Sequence, residues 1–318
     1  TLYVQIYFGG IIFNLLYNFA SGVVRANGDT KRPLVILSIA GIINVVLNLI
    51  FVIFFHMSVA GVALATIISQ AFSAITIMWL LCKEEGHLKF EFNKLSIDRD
   101  VLKEMIRVGL PSGVQGSLFS ISNVIIQKTV NGFGSIIVAG NSAAQNVEGF
   151  VYTSMNAFHQ TALNFSSQNL GAKKYENTRK SVKYCMLCVL VVGIGLGSIF
   201  YLFGPIILRL YTKEAIVIEY AMLRMTYIIL FYFLCGMMDV MVGGLRGIGS
   251  SIIPMIVSLI GVCVLRIAWI YSVFKKYQTL DALYVSYPIS WIVTLLVLAL
   301  CYEIVSKRLK NKLELALK

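Results

Sequence analysis

The chain has 318 residues, 58% of them hydrophobic and only 13% charged, with a mean hydropathy of +0.80 and a net charge of +12. Soluble domains carry about 25% charged residues and about 45–50% apolar ones, so composition argues against a water-soluble enzyme. Stretches of 50, 25 and 21 residues without Asp, Glu, Lys or Arg follow Arg32, Lys183 and Asp281, and about 20 apolar residues cross a hydrocarbon core of roughly 30 Å, which makes this a polytopic α-helical membrane protein.

Apolar runs between polar punctuation predict nine spans, near 1–24, 33–55, 59–82, 109–131, 136–168, 182–204, 216–244, 254–275 and 281–304. The fifth is long for one crossing and is expected to tilt or to leave the bilayer in its last turns. Four segments follow. Residues 1–82 hold three helices, 83–107 form a polar linker, 108–304 hold six helices, and 305–318 form a basic tail. The linker, from Ser96 or Asp98, reads as a short amphipathic surface helix leading into Pro111. One set of loops, including the tail, collects 20 Lys and Arg, whereas the opposite loops hold only Arg209, Lys213, Lys275 and Lys276. The positive-inside rule places the first set and the C-terminus in the cytoplasm and Thr1 outside. The excess positive charge is then topogenic, and no nucleic-acid partner is needed to explain it. The six cysteines lie in or beside apolar runs, where they act as small apolar residues rather than as redox or metal groups.

An internal repeat is visible at a constant offset of 221. Gly22, Arg25, Gly28 and Pro33 meet Gly243, Arg246, Gly249 and Pro254, and Ser69 meets Ser290. In both copies a helix ends with a cation at its negative dipole end, glycine breaks it and proline opens the next. Projecting the six-helix copy back by this offset places about three further helices, in about 125 residues, before Thr1. The chain is therefore expected to be part of a twelve-helix protein of two like-oriented lobes. That parallel repeat is used by transporters with a site between the halves.

Several motifs resemble the multidrug and toxic compound extrusion (MATE) family. They are Arg25-Ala26-Asn27-Gly28-Asp29 with Pro33, Leu245-Arg246-Gly247-Ile248-Gly249 with Pro254, and Gln168-Asn169-Leu170-Gly171-Ala172. Ala139-Gly140 after Gly134 and Tyr287-Pro288-Ile289-Ser290-Trp291 fit as well. The resemblance covers the whole chain as the fourth to twelfth helices. It implies a cytoplasmic-membrane antiporter, monomeric when full length, that exports organic and often cationic drugs or toxins. Inward Na⁺ or H⁺ movement would drive it, without a cofactor, as two lobes rock between outward-open and inward-open states.

Asp239 is the sharpest single residue, since a carboxylate among apolar neighbours within a span is costly and points to a cavity or a partner. It resembles the acidic residue of the family's tenth helix, and its repeat partner is Asn18. The structural alternative is a buried pair with Arg224, Arg266 or Lys128. Asn44 and Asn48 share a helix face, Thr66 is in reach of them, and their neutral oxygens suit Na⁺. The resemblance gives the same three residues as a Na⁺ site, incomplete here because its first-helix Asp is absent and Asn48 stands where many relatives have Asp. Helix–helix hydrogen bonding by the same amides is the alternative. A second stripe comprises Gln115, Asn123, Gln127 and Lys128 with Asn141, Gln145 and Glu148. Gln145 and Glu148 share a face and are candidates to line the cleft, or Glu148 pairs internally with Lys128 or Arg266. Asn156, His159, Gln160 and Asn164 continue that helix, with His159 either titrating or simply hydrogen-bonded. Tyr7, Phe8, Tyr17, Phe150, Tyr152 and Phe158 are candidates for stacking on planar cations or for ordinary packing.

Two other functions compete. A flippase of a lipid-linked oligosaccharide would need a more cationic cleft, while the intramembrane carboxylates favour cationic cargo. An integral-membrane enzyme is disfavoured, because His56, His87 and His159 form no metal or nucleophile pattern and no catalytic residue is assigned.

Overall fold

The computed structural model describes residues 2–85 and 89–316. Thr1 and Lys318, used in the topology reading, and His87 lie outside the described residues. Every regular element within them is helical. Helices α1 (Leu2–Gly9) and α2 (Ile11–Ala26) meet at a 46° bend. Next come α3 (Lys31–Phe54), whose last turn is a π-helix, and α4 (Ser58–Lys83). Helices α5 (Arg99–Asn131), α6 (Ser135–Gly171) and α7 (Tyr175–Leu202) follow, then the short α8 (Gly204–Leu208). The long α9 (Ala215–Gly247) contains a 3₁₀ turn at Ile229–Phe231. Helix α10 (Ile252–Tyr277) carries π turns at Leu259–Val264 and Ile270–Phe274. Helix α11 begins at Leu280–Tyr284 and continues as Ser286–Ala316, so the start of the basic tail is helix rather than a separate segment.

Among the described residues six helices, α3, α4, α7, α9, α10 and α11, are long and apolar enough to cross a membrane, and the bent α1–α2 pair makes a seventh if it is one span. Helices α5 and α6, at 33 and 37 residues, are longer than these need be but carry Gln, Asn, Ser and Glu along one side.

The surface helix expected from Ser96 or Asp98 is not a separate element. Asp98 caps α5, its carboxylate accepting the backbone N–H groups of Asp100 at 2.8 Å and Val101 at 3.2 Å. From there α5 runs unbroken through Pro111 to Asn131. Proline removes one N–H and crowds the preceding turn, but the turn persists, with the Ser112 hydroxyl donating to the Val108 carbonyl at 3.0 Å.

The chain divides into two compact units between Ile97 and Asp98. The first packs α2, α3 and α4 around Tyr17, Val24, Ile36, Ile77 and Leu81, and the Tyr17 hydroxyl donates to the Pro33 carbonyl at 2.8 Å. In the second, α9 lies against α6, α7 and α11. Its Gly243 and Gly247 approach α6 so closely that an added Cβ would stand 2.5 Å from the His159 carbonyl oxygen and 2.7 Å from that of Leu163.

Local geometry coincides at the 221-residue offset. Ile11–Ala26 and Tyr232–Gly247 have corresponding ends, as do the starts of α3 at Lys31 and α10 at Ile252. Gly28 and Gly249 both leave their helices at positive φ, +94° and +82°, and each N–H donates three residues back, to Arg25 and Arg246, at 2.9 Å. A hydroxyl ladder also matches. Ser69 donates to the Thr66 carbonyl at 2.8 Å and Ser73 to Ser69 at 3.0 Å, while Ser290 donates to Tyr287 at 2.7 Å and Thr294 to Ser290 at 2.6 Å.

Candidate functional site

The second unit contains a partly open cavity of about 750 Å³. Helical spacing explains its lining. Gln145, Glu148 and Tyr152 lie on one face of α6, and Arg224, Ile228, Tyr232, Cys235 and Asp239 follow one face of α9. Arg266 comes from α10, Tyr287 and Trp291 from α11, and Phe119, Asn123 and Gln127 from α5. Several of the polar residues that lower the hydropathy of α5 and α6, among them Asn123, Gln127, Gln145 and Glu148, border this space.

Glu148 is 5% exposed and forms a two-point ion pair with Arg224, itself 4% exposed. Arg224 Nε and Nη2 donate to the two carboxylate oxygens, each at 2.8 Å, and Nη1 donates to Asn141 Oδ1 at 2.8 Å. This corrects the partners expected for Glu148, since neither Lys128 nor Arg266 meets it. Lys128 is exposed and borders a different groove with Phe133, Tyr271 and Phe274. Glu148 is thus neutralised where it stands and adds no net negative charge to the cavity.

Asp239 forms no ion pair with Arg224, Arg266 or Lys128. It borders both the large cavity and an adjoining one of about 270 Å³, which also contains Asn156, His159, Gln160 and Arg246. Behind Asp239, His159 Nδ1 lies 2.7 Å from the Asp239 backbone carbonyl oxygen, an N–H donor contact that leaves Nε2 free to accept. Arg246 Nη2 donates to Gln115 Oε1 at 2.8 Å. Gln127 Oε1 accepts from Asn141 at 3.2 Å, and Gln145 is exposed to the cavity.

The other proposed residues lie in the first unit. Asn18 is exposed, and its amide donates to the Asn14 carbonyl at 2.8 Å and to Asn14 Oδ1 at 2.9 Å. Asn48 donates to Asn44 Oδ1 at 3.0 Å, and Asn44 donates to Ser69 Oγ at 3.3 Å. Thr66 instead turns its hydroxyl to the Val62 carbonyl at 2.9 Å, so Ser69, rather than Thr66, is the α4 group that meets Asn44. Asn48 Oδ1 is buried without a hydrogen-bond partner. Among the aromatics expected to stack on cargo, Tyr152 borders the cavity, while Phe150 stacks on Phe200 and Tyr17 is held by Pro33. Arg266, Tyr232 and Trp291 were not singled out as cleft residues by sequence. Their signal was present in the four-residue spacing of Tyr287 and Trp291 and in an arginine isolated within an apolar run.

A family model described as MatE matches residues 111–272, half of the chain and most of this lining. The protein belongs to the MatE family. A second model, lipid II flippase MurJ, matches residues 3–124. The MatE chain is 27% identical over 268 residues to probable multidrug resistance protein YpnP of Bacillus subtilis strain 168, covering 83% of this chain and 59% of that protein. It is 25% identical over 317 residues to YoeA of the same organism, also a probable multidrug resistance protein, covering 96% and 68%. Its fold matches an outward-facing multidrug resistance MATE family transporter of the MOP superfamily with a TM-score of 0.90 at 20% identity, covering 98% of this chain and 70% of that one. The chain thus spans about three fifths to two thirds of the curated relatives' length.

Proposed function

We propose that this MatE protein contributes nine spans to a twelve-span, two-lobe antiporter of the cytoplasmic membrane, with its C-terminus in the cytoplasm. Residues 1–82 belong to one lobe, 83–107 to the linker, 108–304 to the other lobe and 305–318 to the tail. The protein exports small organic molecules, cationic ones among them, by alternating access against inward Na⁺ or H⁺ flow. The observation that carries this reading is Asp239, a carboxylate that makes no ion pair among the described residues and borders two adjoining cavities inside an apolar helix bundle. Cargo and coupling ion can compete for such a group. Gln127, Gln145 and Glu148 are proposed to shape the same cleft. Asn44, Asn48 and Thr66 are proposed to offer neutral oxygens to Na⁺, and Asn18 to occupy the position corresponding to Asp239.

The test is transport in vesicles. Ethidium should move against its gradient only when a Na⁺ or H⁺ gradient is supplied, and Asp239→Asn should abolish that movement at unchanged expression and melting temperature. Gradient-independent flow would defeat the antiporter reading, and undiminished flux in Asp239→Asn would remove Asp239 from it. A lipid-linked cargo is the second reading, favoured by the MurJ match over residues 3–124. Flipping of a fluorescent lipid-linked sugar without ethidium transport would select it.

A further inference from the structure

The cavity contains two arginines in opposite circumstances. Arg224 directs its donors to Glu148 and Asn141. Arg266 is equally buried, at 4% exposure, yet makes no ion pair among the described residues. Its Nε donates to Ser290 Oγ at 2.8 Å, and its guanidinium carbon lies 4.1 Å from the Tyr287 ring centroid and 5.5 Å from that of Trp291. Its Nη2 is buried with no hydrogen-bond partner.

Aromatic faces and one hydroxyl orient a guanidinium but do not neutralise it. An intramembrane cation normally meets a counter-charge, and the fixed planar fork of arginine suits two oxygens of one anion. Asp239 and Glu148 are the acidic side chains of the same lining, and neither bonds to Arg266. The side chain is therefore held in place with a donor, Nη2, that no described group of the protein satisfies.

We propose that Arg266, seated on Tyr287 and Trp291, is an oxyanion subsite that binds a carboxylate or phosphate group of the molecule occupying the cavity. With Asp239 bordering the same space, the site takes zwitterions and organic anions and is not restricted to cations. The oxyanion comes either from a soluble aromatic acid or from a lipid headgroup. This inference rests on reading the cavity as the cargo site.

The experiment is equilibrium binding by the detergent-purified chain, with no ion gradient, so it can fail while gradient-driven ethidium transport stands, and the reverse. Fluorescence titration with anthracene-9-carboxylate and with its neutral analogue anthracene-9-methanol should show the acid binding about tenfold tighter, as befits hydrogen bonds to a charged group. Native mass spectrometry from phosphatidylglycerol and phosphatidylcholine nanodiscs gives the lipid arm. Arg266→Met should erase the preference for the acid, or remove a retained phosphatidylglycerol, or both, without lowering the melting temperature. Arg266→Lys should keep part of the effect. Loss of the acid preference alone assigns the subsite to a soluble anion, and loss of the lipid alone to a headgroup. Arg266→Gln, which keeps a donor for Ser290, gives the same measurement if the methionine variant does not fold. An acid preference and a lipid count both unchanged in a folded variant overturn the proposal.

Discussion

Ser69 in α4 and Ser290 in α11 stand 221 residues apart in the same hydroxyl ladder, yet they receive different donors. Ser69 accepts a neutral amide from Asn44, and Ser290 accepts the guanidinium of Arg266. The same asymmetry holds elsewhere at that offset, where Arg224, Asp239 and Arg266 correspond to Tyr3, Asn18 and Val45. Helix ends, glycine exits and hydroxyl ladders are common to both copies, whereas these buried charges stand in only one of them. The backbone framework and the chemistry of the site are thus separable, and each can be altered without the other.

The largest expected effect comes from breaking the charged copy. Arg224→Met leaves the Glu148 carboxyl buried without its counter-charge, and should cost about 3–5 kcal/mol. Thermal unfolding in detergent should show a large drop, mostly recovered by adding Glu148→Gln. A double variant as unstable as the single one would mean that Arg224 matters for packing and not for charge. Intermediate effects should separate the two serines. Ser290→Ala removes an acceptor from a charged donor and should cost about 2 kcal/mol, against about 0.6 kcal/mol for Ser69→Ala, the average for hydrogen bonds between membrane helices. Equal losses would dissolve the contrast. The smallest effect should be the same in both copies. Gly28→Ala and Gly249→Ala each place a Cβ on a residue at positive φ, for about 1 kcal/mol, and a clear difference between them would show that the two exits are not equivalent.

Much of this was legible in the sequence because bilayer physics acts on it directly. Charge-free runs mark α3, α4, α7 and α11, and Asp239 stands out because its neighbours are apolar. The breaker pattern around Gly28 and Gly249 revealed the repeat through backbone requirements alone. Pairings were less legible. Arg224 and Glu148 are 76 residues apart, and only the packing of α9 on α6 selects that cation over Lys128 or Arg266. Pro111 carried a stop signal that the fold overrode, so the expected surface helix merged into α5. Thr66 and Ser69 are both hydroxyls on α4 that donate to carbonyls of their own helix, and only the packing of α3 on α4 decides that Ser69 also accepts from Asn44.

The two wide turns of α10 flank Leu265–Trp269, the short segment that carries Arg266. Each wide turn holds a surplus residue, and one residue corresponds to about 100° of rotation around a helix axis. The bearing of Arg266 is therefore fixed by phase. A helix of the same composition, shortened by a single residue within 259–264, would carry the guanidinium about a quarter-turn away from Tyr287 and Trp291.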